Sequence, residues 1–272
     1  MIAPKQQDGV NSVTSLLKSF SFALLLSLGL FIKIASAKDP AILRIAVAAN
    51  FTPVLTKILP EFHQRTGIKT QIISGASGAL FLQIKHGAPF DIFLSADQRR
   101  PQQLEQDGLI LAGSRATYAI GQLALFSHGK ITQLTKLIPK RSLENNVSRF
   151  AIANPLIAPY GKAAKETLEH LGLWQAYQPR LITGMNINQT FNQIRSKSVE
   201  LGLVAYSQLV LNNLTGLLIP NHYHQAIKQQ LVVLKRSPNQ VKARQLADFL
   251  RLTSTQKIIA RYGYLDTAQR GH

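Results

Sequence analysis

Short apolar runs alternate with amphipathic segments along most of the chain. Buried strands are predicted at 42–48, 69–73, 90–95, 149–153, 180–183 and 201–205, and a last apolar run occupies 231–234. Helices are predicted at 52–66, 77–86, 99–107, 161–171, 188–196, 239–252 and 254–262. Strands that alternate with helices are typical of α/β folds with mostly parallel sheets. Pro60 lies inside the first predicted helix, where it removes a backbone donor and should kink or split that helix.

The apolar segment 116–127, ATYAIGQLALFS, is too long for a single surface strand. It is predicted to leave one domain and enter another, because residues 129–148 then become polar and irregular before a second α/β set begins. A chain of 272 residues with 46% apolar content can bury one large core or two ordinary ones. The patterning therefore favours two α/β domains.

The first 37 residues differ from the rest of the chain. Lys5 and Lys18 precede an apolar run at 20–32, and Ala35-Ser36-Ala37 then fits the small-x-small cleavage rule. A membrane anchor is the alternative, but the run is shorter than the roughly 20 residues that a spanning helix needs. We expect a secretory signal peptide cleaved after Ala37 and export to the periplasm. The chain has no cysteine, which argues against a lipid-anchored lipoprotein and requires stability without disulfides.

The chain is strongly basic, with 31 Lys and Arg against 13 Asp and Glu and a formal net charge of +18. Such a charge suggests nucleic acid or an anionic surface as partner. The basic residues are spread along the chain, zinc fingers need cysteine, and an exported protein does not meet the nucleoid, so nucleic acid is not expected. A positive field that attracts a small dianion, contact with an anionic membrane face, or a merely solvated basic surface remain as alternatives.

A small-residue loop, Ser74-Gly75-Ala76-Ser77-Gly78, follows the predicted strand at 69–73. The next helix opens near Ser77 and would point unpaired backbone N–H groups at whatever the loop encloses, as in an anion site. A tight turn without a ligand is the alternative, since Gly and Ser dominate turns.

Three motifs together carry a family resemblance: AVAANFT at 46–52, SGASG at 74–78 and GAPFDIFLSAD at 87–97. They resemble the periplasmic molybdate-binding proteins of ABC transporters, and the resemblance extends from about Ile42 to the RYGY at 261–264. It implies a type II periplasmic-binding-protein fold in the α/β class, with two domains and the ligand in the cleft between them. Domain 1 would comprise 38–118 plus 222–272 and domain 2 would comprise 119–221, with crossovers near 117–119 and within 220–229.

The same resemblance implies a biological role. It implies a monomeric, non-enzymatic protein that binds molybdate or tungstate, uses no other cofactor, and delivers its ligand to an inner-membrane permease and its ATPase. A binder of sulfate or another tetrahedral oxyanion is the alternative within this class. An enzyme that acts on an anionic substrate in the cleft is the alternative from a different class.

Two candidate ligand residues lie on loops of the first half. Asn50 is a good N-cap and Pro53 suits the first helical turn, so this helix N-terminus should face the cleft, and the Asn50 amide could also donate to a ligand. Ser77 can donate through its hydroxyl and its N–H. Ser74 could fill the same role, but the family position favours Ser77.

The resemblance places two further contacts in the second half. Tyr160 would contribute its hydroxyl or its N–H, with packing on the hinge as the structural alternative. Some family members use a tyrosine at the position of Ala205 instead, but here the tyrosine follows at Tyr206. Ile187 would contribute a backbone N–H, with Asn186 or Asn188 as helix cap. Further possible contacts are Ala49, Phe51 and Asn188.

None of these loops carries Lys or Arg at its core. Neutral donors and helix dipoles would then bind a fully deprotonated tetrahedral dianion, and molybdenum would be held only as molybdate. Hydrogen phosphate would be disfavoured, because its proton needs an acceptor that these loops lack. Asp91 and Asp97 are expected to be structural, Asp97 as an N-cap. His222 and His224 form at most a weak metal pair, and no nucleophile elbow, P-loop, HExxH or dinucleotide fingerprint occurs.

Overall fold

Two five-stranded sheets organise the residues that the computed structural model describes, 42–128 and 149–265. The expected signal peptide at 1–37 and the polar segment at 129–148 lie outside these residues. The strands are β1 (Leu43–Ala48), β2 (Thr70–Gly75), β3 (Ile92–Leu94), β4 (Ala116–Gly121), β5 (Leu123–Ser127), β6 (Phe150–Ala153), β7 (Leu181–Gly184), β8 (Leu201–Ala205), β9 (Leu217–Leu218) and β10 (Ile227–Val233).

The two sheets have the same internal arrangement. The first has the order β2-β1-β3-β10-β4 and the second β7-β6-β8-β5-β9. In each, three neighbouring strands are parallel and the fourth strand, β10 or β5, is antiparallel to both of its neighbours. Four of the five strands of a sheet therefore run in one direction, and the predicted α/β class with mostly parallel sheets is confirmed.

Helices cover both faces of each sheet. They are α1 (Thr52–Thr66), α2 (Ser77–Lys85), α3 (Arg99–Gln106), α4 (Pro159–His170), α5 (Trp174–Tyr177), α6 (Ile187–Arg195), α7 (Tyr206–Leu211), α8 (Gln240–Arg251) and α9 (Thr253–Arg261). On the first sheet, α1, α8 and α9 share one apolar core while α2 and α3 pack on the opposite face. On the second sheet, α4 packs on one face and α6 and α7 on the other.

The chain passes between the sheets at two places. Gln122 separates β4 of the first sheet from β5 of the second, so the apolar segment 116–127 does leave one sheet and enter the other. The chain returns to the first sheet between the end of β9 at Leu218 and the start of β10 at Ile227. We call residues 42–121 and 227–265 the first lobe, and residues 123–128 and 149–218 the second lobe.

Of the two outcomes predicted for Pro60, a kink or a split, the split is wrong, because α1 continues through Pro60 from Thr52 to Thr66. Pro60 and Thr56, whose carbonyl loses its usual donor, are both exposed, so water can satisfy that carbonyl. Within the described ranges, no helix is long and apolar enough to cross a membrane.

Candidate functional site

The loops that follow β1, β2, β6 and β7 meet at one small cavity between the lobes. All four principal candidates, Asn50, Ser77, Tyr160 and Ile187, line it. The other lining residues are Ala48, Ala49, Gly75, Ala76, Ala96, Ala158, Pro159 and Asn186. The structure thus brings together residues that are distant in sequence, because carboxyl ends of parallel strands meet at one edge of each sheet.

Backbone donors around this cavity are available for a ligand. Within residues 42–128 and 149–265, no group accepts a hydrogen bond from the N–H of Asn50, Ser77, Tyr160 or Ile187. Three of these residues lie in the first turn of a helix (α2, α4 or α6), where N–H groups have no intrahelical partner. The positive ends of three helix dipoles therefore point toward the same cavity.

Ser77, and not Ser74, lines the cavity. Ser77 is fully buried, and its Oγ accepts a hydrogen bond from the Ala96 N–H at 2.9 Å. That bond leaves the hydroxyl proton of Ser77 free to be donated. Ser74 is exposed and its hydroxyl pairs with Thr52 Oγ1 at 2.7 Å, outside the cavity.

Asn50 does not cap α1, so this prediction is wrong. The N-cap position is Phe51 and carries no side-chain cap bond. The Asn50 Nδ2 donates instead to Gln229 Oε1 at 3.0 Å and to the Tyr264 hydroxyl at 3.1 Å. Asn50 is 1% exposed, so its amide satisfies buried groups rather than the helix end.

A buried hydrogen-bond network connects the lobes beside the cavity. We call it the hinge network, and it comprises Asn50, Tyr118, Tyr160, Ser207, Gln229 and Tyr264. Gln229 Oε1 also accepts from the Tyr118 hydroxyl at 3.0 Å, and its Nε2 donates to the Tyr160 hydroxyl at 3.3 Å. The Tyr264 hydroxyl donates to the Asn50 carbonyl at 3.0 Å and accepts from Ser207 Oγ at 3.2 Å.

Tyr160 combines the two roles left open by the sequence. Its hydroxyl belongs to the hinge network, whereas its backbone N–H has no acceptor among the described residues. A Cβ at Gly121 would lie 2.2 Å from this hydroxyl, so the glycine makes room for the tyrosine.

The tyrosines of the hinge network are neutral at physiological pH. Burial raises the pKa of Tyr118 and of Tyr160 well above 10, and it raises the pKa of Tyr264 to about 12. No residue that lines the cavity is charged. A bound anion would therefore meet dipoles and hydrogen-bond donors, with no charged side chain in the cavity lining.

Asn186 fixes the loop that presents Ile187. Its Oδ1 accepts from the N–H groups of Asn188 at 3.0 Å and Gln189 at 3.1 Å, so Asn186 is the cap of α6. The Asn188 side chain accepts from Gln208 Nε2 at 2.8 Å. The N–H and the Oδ1 of Asn188 are thus engaged and Asn188 does not line the cavity, whereas Ile187 lines it and keeps an available N–H.

The other possible contacts are less suited to donate. The Ala49 N–H is bonded to the Gly75 carbonyl and the Phe51 N–H to the Ala48 carbonyl. Ala49 lines the cavity through its backbone and methyl group, while the Phe51 ring packs against Tyr118 with ring centroids 4.8 Å apart.

A larger groove of about 590 Å³ runs beside the cavity and shares Ala96, Ala158 and Pro159 with it. Its charged groups are largely paired, Arg100 with Asp97 and Lys162 with Glu166 at 3.2 Å. The groove therefore lacks the ring of available donors that distinguishes the small cavity.

Comparison with known proteins identifies the family of this chain. The family model of the bacterial extracellular solute-binding proteins matches residues 43–265. The chain belongs to this family.

Curated relatives of this solute-binding protein include two molybdate-binding proteins. It is 36% identical over 253 residues to molybdate-binding protein ModA of Azotobacter vinelandii, covering 90% of this chain and 98% of the relative. It is 35% identical over 251 residues to ModA of Rhodobacter capsulatus, covering 92% and 96%. The solved structure of the Azotobacter vinelandii periplasmic molybdate-binding protein matches with a TM-score of 0.76 and 34% identity, over 82% of this chain and 98% of that chain. The predicted two-domain fold and family resemblance are confirmed.

The two motif acids of this solute-binding protein are structural. Asp91 is buried, and its carboxylate accepts from the Arg44 N–H at 2.7 Å and from Ser237 Oγ. Asp97 pairs with the Arg100 guanidinium and accepts the Arg100 N–H at 3.1 Å. The assigned N-cap of α3 is Gln98, one residue later than predicted, but the Asp97 carboxylate performs the capping.

His222 and His224 of this solute-binding protein have different surroundings. The His222 ring lies beside His170, with centroids 5.8 Å apart, while His224 is buried with Nδ1 bonded to the Gln225 carbonyl at 2.8 Å. In the part of the chain that the structure describes, no group of three or more His, Asp or Glu could hold a metal ion.

Sequence reasoning missed Gln229, Tyr118 and Tyr264. Each is fully or almost fully buried and each bonds across long sequence distances. A polar Gln-Gln pair at the start of an apolar run was the available signal for Gln229, and the RYGY motif was the signal for Tyr264. Neither signal identifies the residues to which these side chains are hydrogen-bonded.

Proposed function

We propose that this protein binds molybdate in the cavity between its lobes. The observation that carries the proposal is the ring of available backbone N–H groups, at Asn50, Ser77, Tyr160 and Ile187, around a cavity without charged lining residues. The Ser77 hydroxyl adds a further donor. Support comes also from relatives named as molybdate-binding proteins.

The donor set favours an oxyanion that carries no proton. Molybdate and tungstate are fully deprotonated tetrahedral dianions, so every oxygen can accept hydrogen bonds from the ring. Hydrogen phosphate would place an O–H against further donors, which leaves a buried group unpaired. Such a defect costs about 1–3 kcal/mol, or about five- to 150-fold in affinity. Sulfate shares the charge of molybdate and would be rejected by size alone.

We propose roles for the individual residues on the same basis. The N–H groups of Asn50, Tyr160 and Ile187 would each donate to a ligand oxygen, and Ser77 would donate through its N–H and its hydroxyl. Molybdenum would contact the protein only through its oxygens.

The protein would act as the binding component of an importer and not as an enzyme. Its family consists of extracellular solute-binding proteins, which implies an inner-membrane permease and an ATPase as partners. We propose a periplasmic monomer whose two domains follow the first and second lobes, with the passage between them at Gln122 and between β9 and β10. Nucleic acid is not a proposed partner.

Isothermal titration of the chain from residue 38 with molybdate, tungstate, sulfate and phosphate tests the proposal. We expect molybdate and tungstate to bind tightly with one site per chain, sulfate to bind more weakly than molybdate, and phosphate to bind at least about fivefold more weakly than molybdate. The ligand should be recovered unchanged. Absence of binding by both metal oxyanions would refute the proposal.

A further inference from the structure

The two lobes touch at the edge of the cleft through two direct hydrogen bonds. The Gly78 N–H in α2 donates to the Ile157 carbonyl at 2.8 Å. Arg100 Nη2 in α3 donates to the Leu156 carbonyl at 3.3 Å. We call these four residues the latch. Both donors belong to the first lobe and both acceptors to the loop after β6 in the second lobe.

The latch lies directly next to the cavity along the chain. Gly78 follows Ser77, and Ile157 precedes Ala158, and both of these neighbours line the cavity. Separation of the lobes at this edge must therefore break the Gly78–Ile157 and Arg100–Leu156 bonds. An anion held between Ser77 and the start of α4 would leave by that separation.

Arg100 is held in place before it reaches across the cleft. Its guanidinium pairs with the Asp97 carboxylate, and the residue is only 7% exposed. The charge partner lies on the same lobe, so opening of the lobes would leave that ion pair intact and remove only the bond to Leu156. A guanidinium fixed in this way loses little conformational entropy when the latch forms.

The accepting loop is also held in a fixed conformation. Asn154 Oδ1 accepts the Leu156 N–H at 3.0 Å, and the Asn154 carbonyl accepts the Ala158 N–H at 2.9 Å. These local bonds direct the carbonyls of residues 156 and 157 outward to the first lobe.

Gly78 permits the close approach. A Cβ at this position would lie 2.9 Å from the Ile157 Cα and carbonyl oxygen and 2.8 Å from Arg100 Nη2. Gly78 occupies the second position of α2, where alanine is the better helix former. A methyl group at Gly78 would thus suit the helix, but it would obstruct the Ile157 backbone across the cleft and the Arg100 guanidinium that bonds to Leu156.

We propose that the latch holds the lobes together over the bound oxyanion, and that Arg100 is a positioning residue that slows ligand release. The ligand in this inference rests on the proposed function. Because the latch contributes nothing to the encounter between ligand and open cleft, its loss should raise the dissociation rate and leave the association rate nearly unchanged.

The kinetic test uses Arg100→Ala and Gly78→Ala, with Arg99→Ala as the matched control. Arg99 is the exposed neighbour of Arg100 and makes no ion pair among the described residues. The chain has no cysteine, so one introduced cysteine can carry an environment-sensitive dye for stopped-flow measurements. Each latch variant should release molybdate about tenfold faster, with association within about twofold of wild type. Arg100→Lys should recover part of the effect, and Arg99→Ala should match wild type.

The structural test does not depend on the ligand's identity. Cysteines introduced at Gln83 in α2 and Asn192 in α6, both exposed, allow spin labels to report the distance between the lobes. We expect longer and broader distance distributions for both latch variants than for wild type and Arg99→Ala, with and without molybdate.

Two results would separate the possible failures. If wild type binds no oxyanion, the proposed function fails, and the latch is then judged by the distances alone. If Arg100→Ala and Gly78→Ala keep the wild-type distances and the wild-type dissociation rate, the latch is refuted while the proposed function stands. Far-ultraviolet circular dichroism and thermal melts confirm that each variant is folded.

Discussion

Single side chains around the cavity serve the fold and the site together. The Ser77 hydroxyl accepts the Ala96 N–H, which fixes the loop after β3, and it retains a proton for a ligand. Tyr160 places its hydroxyl in the hinge network and leaves its backbone N–H available. Removal of such a residue should therefore affect binding more than a neighbouring residue of the same type that faces solvent.

Ser77→Ala should weaken molybdate binding by about tenfold or more, because it removes an O–H donor and leaves the buried Ala96 N–H unpaired. Isothermal titration measures the affinity. Ser74→Ala is the matched control, since Ser74 is exposed and bonded to Thr52 outside the cavity. Equal affinities for the two variants would place the ligand elsewhere.

Helices and strands formed largely where the hydrophobic pattern predicts them. The α1 bounds agree with the prediction, and β8 occupies the predicted 201–205. The short helix α7 was not predicted, because it follows β8 directly and no turn residues mark its start. Its start is stabilised by Gln208, whose Oε1 accepts a hydrogen bond from the Ala205 N–H at 3.1 Å. The positions at which helices begin also determine the site, because the first turns of α2, α4 and α6 line the cavity.

The cap of α6 offers a test at the level of an element. Asn186→Ala should lower the free energy of unfolding by about 1 kcal/mol, because the Asn188 and Gln189 N–H groups lose their acceptor. Molybdate affinity should fall as well, since the turn that presents Ile187 loses its fixed geometry. Urea unfolding and titration measure the two effects. Asn192→Ala, an exposed change in the same helix, should alter neither, and an unchanged affinity in Asn186→Ala would contradict this role of the cap.

At the scale of the whole molecule, the hinge network joins the lobes through groups that must stay neutral. Tyr118, Tyr160 and Tyr264 are buried together, and ionisation of any of them would place a charge in the protein interior. Because these tyrosines are neutral, the hinge network itself adds no negative charge beside the cavity.

The raised tyrosine pKa values predict alkaline instability. Each tyrosine releases its proton near pH 10 when unfolded but only at higher pH when folded, about 12 for Tyr264. The folded state therefore retains more protons above pH 10, and its stability, complete below that pH, decreases as pH rises toward the folded pKa.

Urea unfolding at intervals from pH 8 to above pH 10 measures this decrease, which should reach about 1.4 kcal/mol per pH unit for each buried tyrosine. Tyr264→Phe should start from a lower stability, because Asn50 and Ser207 lose a partner, and should show a smaller alkaline decrease. A slope equal to that of wild type would contradict the assignment of Tyr264.

The local pattern of residues determined the α/β class, most elements, and the presence of small or polar residues at the strand ends that form the cavity. Those features depend on periodicity and on turn chemistry, which act over a few residues. The family resemblance then indicated which of these loops form the site, and it pointed to Asn50, Ser77, Tyr160 and Ile187, which all line the cavity.

Tertiary structure alone decided the partners of the buried polar groups. Asn50 is a residue type that favours N-cap positions and it lies just before a helix. Its side-chain amide nevertheless bonds to Gln229 and Tyr264, which are 179 and 214 positions away in the sequence. The contact of Arg100 with Leu156 likewise spans 56 residues and joins two lobes. A buried polar side chain bonds to whichever group folding brings near it, because burial removes the water that would otherwise be its partner. The residues next to it in the sequence indicate neither that group nor the burial.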